Sequence, residues 1–219
     1  GRRLYTFQIE QQKYWLKFHQ AHIHQVLEHA FLNELDFYRQ NSISRQQFIV
    51  PHRIIQFEQS TQFHELALSG QGLILVDTEN FFSCVPSDVG IIQQQILKAL
   101  ETLENMHQLG WVHGDLKIEH FRCYNNSCKL IDFEQSLKSS HISQNLTATP
   151  HYMAPELFPA ERKTVQCDLY AFGIILYEWL TQIKLQAKTY HEWAVLHCQQ
   201  LYIQLPEQLE YFLPLLNGL

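Results

Sequence analysis

Positive charge is in short supply in this chain. Lysine and arginine total 16 against 22 aspartates and glutamates, a formal net charge of −6. A nucleic-acid binder needs a basic face to neutralise phosphates, so no nucleic-acid partner is expected. Cysteine is sparse as well. Cys84, Cys123, Cys128, Cys167 and Cys198 are odd in number, and the nearest pair, Cys123 and Cys128, has no second pair downstream to close a zinc site. Thiols buried or idle in a reducing compartment are the expectation. No apolar run is long enough to span a bilayer and no signal-peptide pattern is visible, so the reading is a cytoplasmic chain without a membrane segment. No G-x-G-x-x-G run occurs, and no repeats or low-complexity linkers interrupt the chain. Histidine and glutamine are frequent but scattered, and form no tract.

What is present suits a folded domain. The chain has 219 residues, 46% hydrophobic and 17% charged, enough for one real core or for two small lobes. Tyr5, Phe7 and Ile9 alternate with polar residues, which predicts a strand, with a turn at Gln11 and Gln12 and a second strand over Tyr14–Phe18. A helix is predicted from about His22 to Arg39, with Val26, Ala30, Leu32 and Leu35 on its apolar face. Strands are predicted around Phe48–Phe57 and Gly72–Val76. From Ser87 the period changes: Ile92, Ile96, Leu100 and Leu103 recur at helical spacing, with Ser87 or Asp88 as cap and Gly110 as terminator. Leu169–Leu180 is apolar nearly all round, as in a helix buried in a core. A strand-rich front therefore precedes a helical rear, with the break near residues 77–82. Residues 135–149, rich in serine and threonine, read as a long surface loop.

The chemistry is concentrated in the rear half. His113-Gly114-Asp115-Leu116-Lys117 follows the short apolar segment Trp111-Val112, and Lys129-Leu130-Ile131 runs into Asp132-Phe133. Either aspartate alone would read as a surface turn residue. Together they put two carboxylates at the ends of short strands close in sequence. Phosphoryl transfer asks for one carboxylate to orient a hydroxyl and another to hold the metal that neutralises phosphates. Further on come Ala154-Pro155-Glu156 and Asp168-Leu169-Tyr170-Ala171-Phe172-Gly173.

In order and spacing these motifs resemble the eukaryotic-type Ser/Thr protein kinases, from about Leu4 to the end of the chain. The resemblance implies an α+β, two-lobed protein-kinase-like fold. Residues 1 to about 80 would form a small β-rich lobe with one helix, and about 81 to 219 a larger, mainly helical lobe. It implies Asp115 as the catalytic aspartate and Lys117 as the group stabilising the moving phosphoryl. Asp132 would be the metal ligand, and Thr149 would tie the substrate loop to Asp115. Asp168 would hold the backbone of the catalytic loop. In the front part it implies Lys17 as the phosphate-contacting lysine and Glu34 as its helix partner, with Glu28 as the rival. The segment that holds the base falls within residues 76–80, which makes Val76, Asp77 and Thr78 candidates.

Several positions depart from the family pattern. Gly114 replaces an arginine that pairs with activation-loop phosphates, which leaves Lys138 as another basic group for that part. Glu134 replaces the glycine after Asp132-Phe133 and puts a carboxylate near the metal. His120 replaces an asparagine that binds a second metal. At that point the chain is similar to the lipopolysaccharide-core sugar kinases, which lack the Ala154-Pro155-Glu156 segment. Trp15 shares a strand face with Lys17, and either fills the base pocket or turns into the core. Gly1 stands where a last loop glycine would fall, and the arginine that pairs with Glu156 would lie past Leu219. The resemblance thus implies ATP with magnesium or manganese, and transfer to a Ser or Thr hydroxyl of a protein substrate. A pseudokinase scaffold and a small-molecule or sugar kinase are the alternatives.

Overall fold

Strand β1 (Arg2–Ile9) turns at Glu10 and Gln11 into β2 (Gln12–His19), one residue earlier than the glutamine pair suggested. Glu10 takes the positive φ of 53° that this tight reversal needs. The computed structural model describes residues 2–20, 24–41, 47–58, 62–63, 66–67, 70–140 and 148–219; Gly1 and the predicted helix start at His22 lie outside them. Helix α1 (Gln25–Asn41) follows, then β3 (His52–Phe57), a small hairpin of β4 (Gln62–Phe63) and β5 (Leu66–Ala67), and β6 (Gly70–Val76). The main sheet is antiparallel in the order β1-β2-β6-β3. Strand β2 therefore sits inside the sheet, and its alternation sorts two faces. Leu16 and Phe18 join Tyr5, Phe7 and Phe57 on one side, while Trp15 and Lys17 face the other, where Leu73 and Leu75 belong to the main core.

The apolar face predicted for α1 needs correction. Val26 and Leu32 are exposed, and the buried stripe is Phe31, Glu34, Leu35, Phe37, Tyr38 and Asn41. The aromatic rings are what this helix buries: Phe37 stacks on Phe133 at 3.9 Å between centroids, and Tyr38 meets the same ring edge-on at 5.3 Å. Glu34, which the resemblance pairs with Lys17, lies on this same buried stripe.

Past Val76 come β7 (Glu79–Asn80) and α2 (Val89–Gln108), whose cap is Asp88, accepting the N–H of Ile91 at 2.9 Å. Strand β8 (Trp111–Val112) leads into His113–Lys117, the hairpin β9 (Phe121–Tyr124) and β10 (Ser127–Leu130) follows, and β9 also pairs with β7. Strand β11 (Leu137–Lys138) pairs with β8, and Ser136 before it is buried. The start of the predicted surface loop is thus pinned in a sheet; residues 141–147 lie outside the described residues. Helix α3 (Val165–Thr181) is the buried rod of the rear core, followed by α4 (Tyr190–Val195) and α5 (Leu213–Gly218). The fold is mixed α and β, with the four-stranded antiparallel sheet in front, smaller sheets beside it and helices behind.

Candidate active site

The segment His113–Lys117 is shaped by α3. Asp168, buried in the first turn of that helix, accepts the backbone N–H of His113 at 2.7 Å and of Gly114 at 2.9 Å, and its Oδ2 lies 2.9 Å from His107 Nε2. Gly114 adopts φ +77°, and a Cβ there would stand 2.7 Å from the Gln135 carbonyl oxygen and 2.9 Å from Lys163 Cδ. No arginine fits in that space. Lys163 brings a positive charge to the same place from another segment. Burial lowers its pKa, and the nearby Asp115 and Asp168 pull it back. Lys138, the basic group suggested by the sequence, turns away instead: its ammonium donates to the Leu109 carbonyl at 3.0 Å and sits over the Trp111 ring.

With its loop pinned, Asp115 projects into a polar corner. Its Oδ1 accepts the Thr149 N–H at 2.8 Å and its Oδ2 lies 3.1 Å from Lys117 Nζ. Burial pushes this carboxyl up, but Lys117 and the Thr149 hydrogen bonds outweigh it, and its pKa lies below the ordinary value. Asp115 is therefore an acceptor beside a cation, the pairing required to orient a hydroxyl.

Asp132, two residues past β10, has a φ of +66°. Its Oδ1 lies 2.9 Å from Lys17 Nζ and its Oδ2 3.5 Å from His120 Nε2. Against the upward push of burial, His120 and Lys17 hold it well below the usual carboxylate range. The Lys17 ammonium also lies 2.6 Å from Glu34 and 2.8 Å from Glu134. One cation is thus shared by three carboxylates, and Glu34, Asp132 and Glu134 are close enough together to form a potential cation site. Glu34 is fully buried, and burial raises its pKa despite Lys17; its other oxygen accepts the Phe133 N–H at 3.2 Å. Lys17 meets Glu34 rather than Glu28, which lies in the first turn of α1.

These groups border a cavity of about 310 Å³, within the usual range for a small-molecule site. Trp15, Leu75, Val76 and Ile131 give it an apolar slot, and Lys17 and Asp132 stand at its polar end. Trp15 lines the slot while packing against the main core, and its Nε1–H donates to Asp77 Oδ1 at 2.6 Å. Of the three residues put forward for holding the base, Val76 and Thr78 line the cavity, while Asp77 turns to Trp15 and to Lys13, 3.4 Å away. His120 lines it as well, its ring stacked on His113 at 5.3 Å. His113, fully buried, is pushed down to about 4 by desolvation first and His120 second.

Five lining residues were not put forward as site residues by the sequence: Leu4, Leu75, Glu119, Arg122 and Ile131. Arg122 directly follows the Asp115-to-Phe121 run, so its position was readable. Its contacts were not, because they cross to Thr78 and Asn80 on a distant stretch of chain.

The chain matches the protein kinase domain family over residues 10–211. It is similar to a probable serine/threonine-protein kinase of Dictyostelium discoideum, 32% identical over 99 residues, covering 44% of this chain and 7% of that protein. The serine/threonine-protein kinase AFC3 of Arabidopsis thaliana is 30% identical over 127 residues, 47% of this chain and 31% of that protein. A cGMP-dependent protein kinase of Toxoplasma gondii is 37% identical over 79 residues, 36% of this chain and 8% of that protein. Each match covers less than a third of the relative's own length.

Proposed function

Because the chain belongs to the protein kinase domain family, we propose that it is an ATP-dependent phosphotransferase acting on serine or threonine hydroxyls of a protein. The observation that carries this reading is the convergence of an ionised Asp115, paired with Lys117 and Thr149, with a cavity whose polar end holds Lys17 and Asp132. In this reading residues 1 to about 80 hold the nucleotide and residues from about 81 carry the transfer chemistry.

The family uses ATP and a divalent metal, and the residues present fit both. Asp132 offers oxygen to a cation and His120 offers nitrogen beside it, a donor set that manganese accepts more readily than magnesium. A bound divalent ion would neutralise triphosphate charge. The chain's own residues do the rest. Asp115 accepts the hydrogen of the substrate hydroxyl and aims its oxygen at the terminal phosphorus. That oxygen–phosphorus bond forms as the bond from phosphorus to the β–γ bridging oxygen breaks, and the hydroxyl proton ends on Asp115. Lys117, 3.1 Å from Asp115, sets positive charge beside the moving group. Lys17 is placed to meet phosphate oxygens once its carboxylates release it.

A cytoplasmic site of action is part of the proposal. Its support is the thiols: all five are free, including Cys123 and Cys128, which stand opposite each other across β9 and β10. Among the described residues no helix is long and apolar enough to cross a membrane.

The test is transfer of labelled terminal phosphate from ATP to casein or to the chain itself, with binding followed separately by calorimetry. Asp115→Asn should lower transfer by about 10²–10⁴-fold, the span for a lost proton acceptor, while nucleotide affinity holds. Asp132→Asn should lose affinity for the metal–nucleotide pair as well. Full transfer by Asp115→Asn would overturn the assignment.

A further inference from the structure

Gly114 and Lys163 fit each other as two halves of one arrangement. Lys163 directly precedes Thr164, the cap residue of α3, and Asp168 follows in the first turn of that helix. The start of α3 therefore brings a cation and an anion to one loop. Asp168 takes the backbone N–H groups of His113 and Gly114. The Lys163 stem passes over Gly114: its Cδ and Nζ would stand 2.9 Å and 3.2 Å from a Cβ at that residue. The side chain occupies the room that the glycine leaves. Only 4% of Lys163 is exposed. A lysine is rarely buried to that extent unless opposite charge answers it. Burial pushes its pKa down, and Asp115 first and Asp168 second pull it back.

Lys117 meets Asp115 directly, at 3.1 Å. Lys163 has a different place, because one ammonium there answers Asp115 and Asp168 together. Without it the two carboxylates would repel each other with Gly114 between them in the chain. Gly114 sits at a φ of +77°, where glycine turns more freely than any other residue. The repulsion would act on that joint and swing Asp115 away from its bond to the Thr149 N–H. Lys163 is not among the residues that line the cavity, so it works through Asp115 and not on the nucleotide. Resting on the reading of Asp115 as the proton acceptor, we infer that Lys163 is a positioning residue for the transfer step. Its buried ammonium, laid over Gly114 from the start of α3, holds Asp115 in the geometry that orients the substrate hydroxyl.

The test separates charge from packing. Lys163→Met keeps the length of the stem and removes the ammonium; Lys163→Arg keeps the charge. Transfer from ATP with manganese, to casein or to the chain itself, is measured over a range of ATP, and thermal melts check that each variant folds. Lys163→Met should lower kcat by about 10–100-fold, the worth of a hydrogen bond to a charged group. Its KM for ATP should hold, because Lys17, Asp132 and the apolar slot are untouched. Lys163→Arg should recover most of the rate, which a role in packing alone does not predict. Full kcat in a folded Lys163→Met, or a KM that worsens as much as kcat falls, overturns the inference and leaves the phosphotransferase reading standing. So does a folded Lys163→Arg as slow as Lys163→Met. If Lys163→Met fails to fold, Lys163→Arg decides: kcat near that of the unmodified protein supports the role of the charge, and kcat lower by about tenfold or more in a folded variant overturns it. No transfer by the unmodified protein overturns both.

Discussion

Lys17 stands among more negative charge than one ammonium can balance. Glu34, Asp132 and Glu134 all lie within 2.9 Å of its Nζ, and Lys17, Glu34 and Glu134 are buried. Glu34 and Asp132 belong to the resemblance; Glu134 stands where the family has glycine. A phosphate approaching Lys17 must displace a carboxylate from it, and Glu134 is the one without a further role in the mechanism. Glu134→Gln keeps the volume and removes the charge. It should tighten nucleotide binding by about tenfold, roughly the worth of one charge-assisted hydrogen bond returned to the ligand. Calorimetry on both proteins measures this, and unchanged or weaker binding by the variant would mean that Glu134 does not compete with phosphate. The acidic crowd at this one lysine was half legible. Asp132-Phe133-Glu134 could be read along the chain, but the approach of Lys17 depends on packing between segments more than a hundred residues apart.

At the level of elements, the chain announced those whose signals are local. The alternation of Tyr5, Phe7 and Ile9 produced β1, and Asp88 with the Ile92–Leu103 spacing produced α2. Where packing across the fold decides, local periodicity was not enough. The resemblance pairs Glu34 with Lys17, but the aromatic inward stripe of α1 around it, Phe31, Phe37 and Tyr38, was not visible in the spacing. Residues 137–138 look like loop until β8 pairs with them. Gly114 belongs to this second group, because its constraint comes from Gln135 and Lys163 across the fold. Gly110, at the other end of β8, shares its left-handed φ at +74°, but a Cβ there meets only Ser139 Oγ at an ordinary 3.7 Å. The pair separates backbone strain from crowding. Gly110→Ala should cost about 1–2 kcal/mol for the φ alone. Gly114→Ala should cost about 2–4 kcal/mol, since overpacking adds to the strain. Urea unfolding of the two variants gives the comparison, and equal losses would show that the loop yields to a methyl group.

The whole molecule carries a stability that depends on keeping several imidazoles neutral. His52 at the start of β3, His113 just past β8 and His197 in the rear are all lowered by burial from the ordinary 6.5, the last two to about 4. Each gains a proton more readily in the unfolded chain than in the fold. Stability from these groups is therefore complete above about pH 6.5 and is lost as pH falls toward about 4. Asp115 and Asp132, held low by their cationic neighbours, add losses of the same sign further down. Glu34 is raised and works in the opposite sense, so the histidines set the steep part of the window. Each imidazole contributes a slope of up to about 1.4 kcal/mol per pH unit between its two pKa values. Because His113 and His197 lie in separate parts of the fold, acid should weaken the protein as a whole rather than one corner. Urea unfolding followed between about pH 7.5 and about pH 4.5 should show a falling midpoint, steepest below about pH 6.5. His197→Gln replaces an imidazole, hydrogen-bonded to Tyr170 at 2.8 Å, with a polar group that does not titrate. Its profile should be shallower by about one proton's worth, whatever the cost of the substitution at neutral pH. A midpoint that stays flat from about pH 6.5 to about pH 4.5, or an unchanged slope in His197→Gln, would mean that these imidazoles find their protons without unfolding the chain.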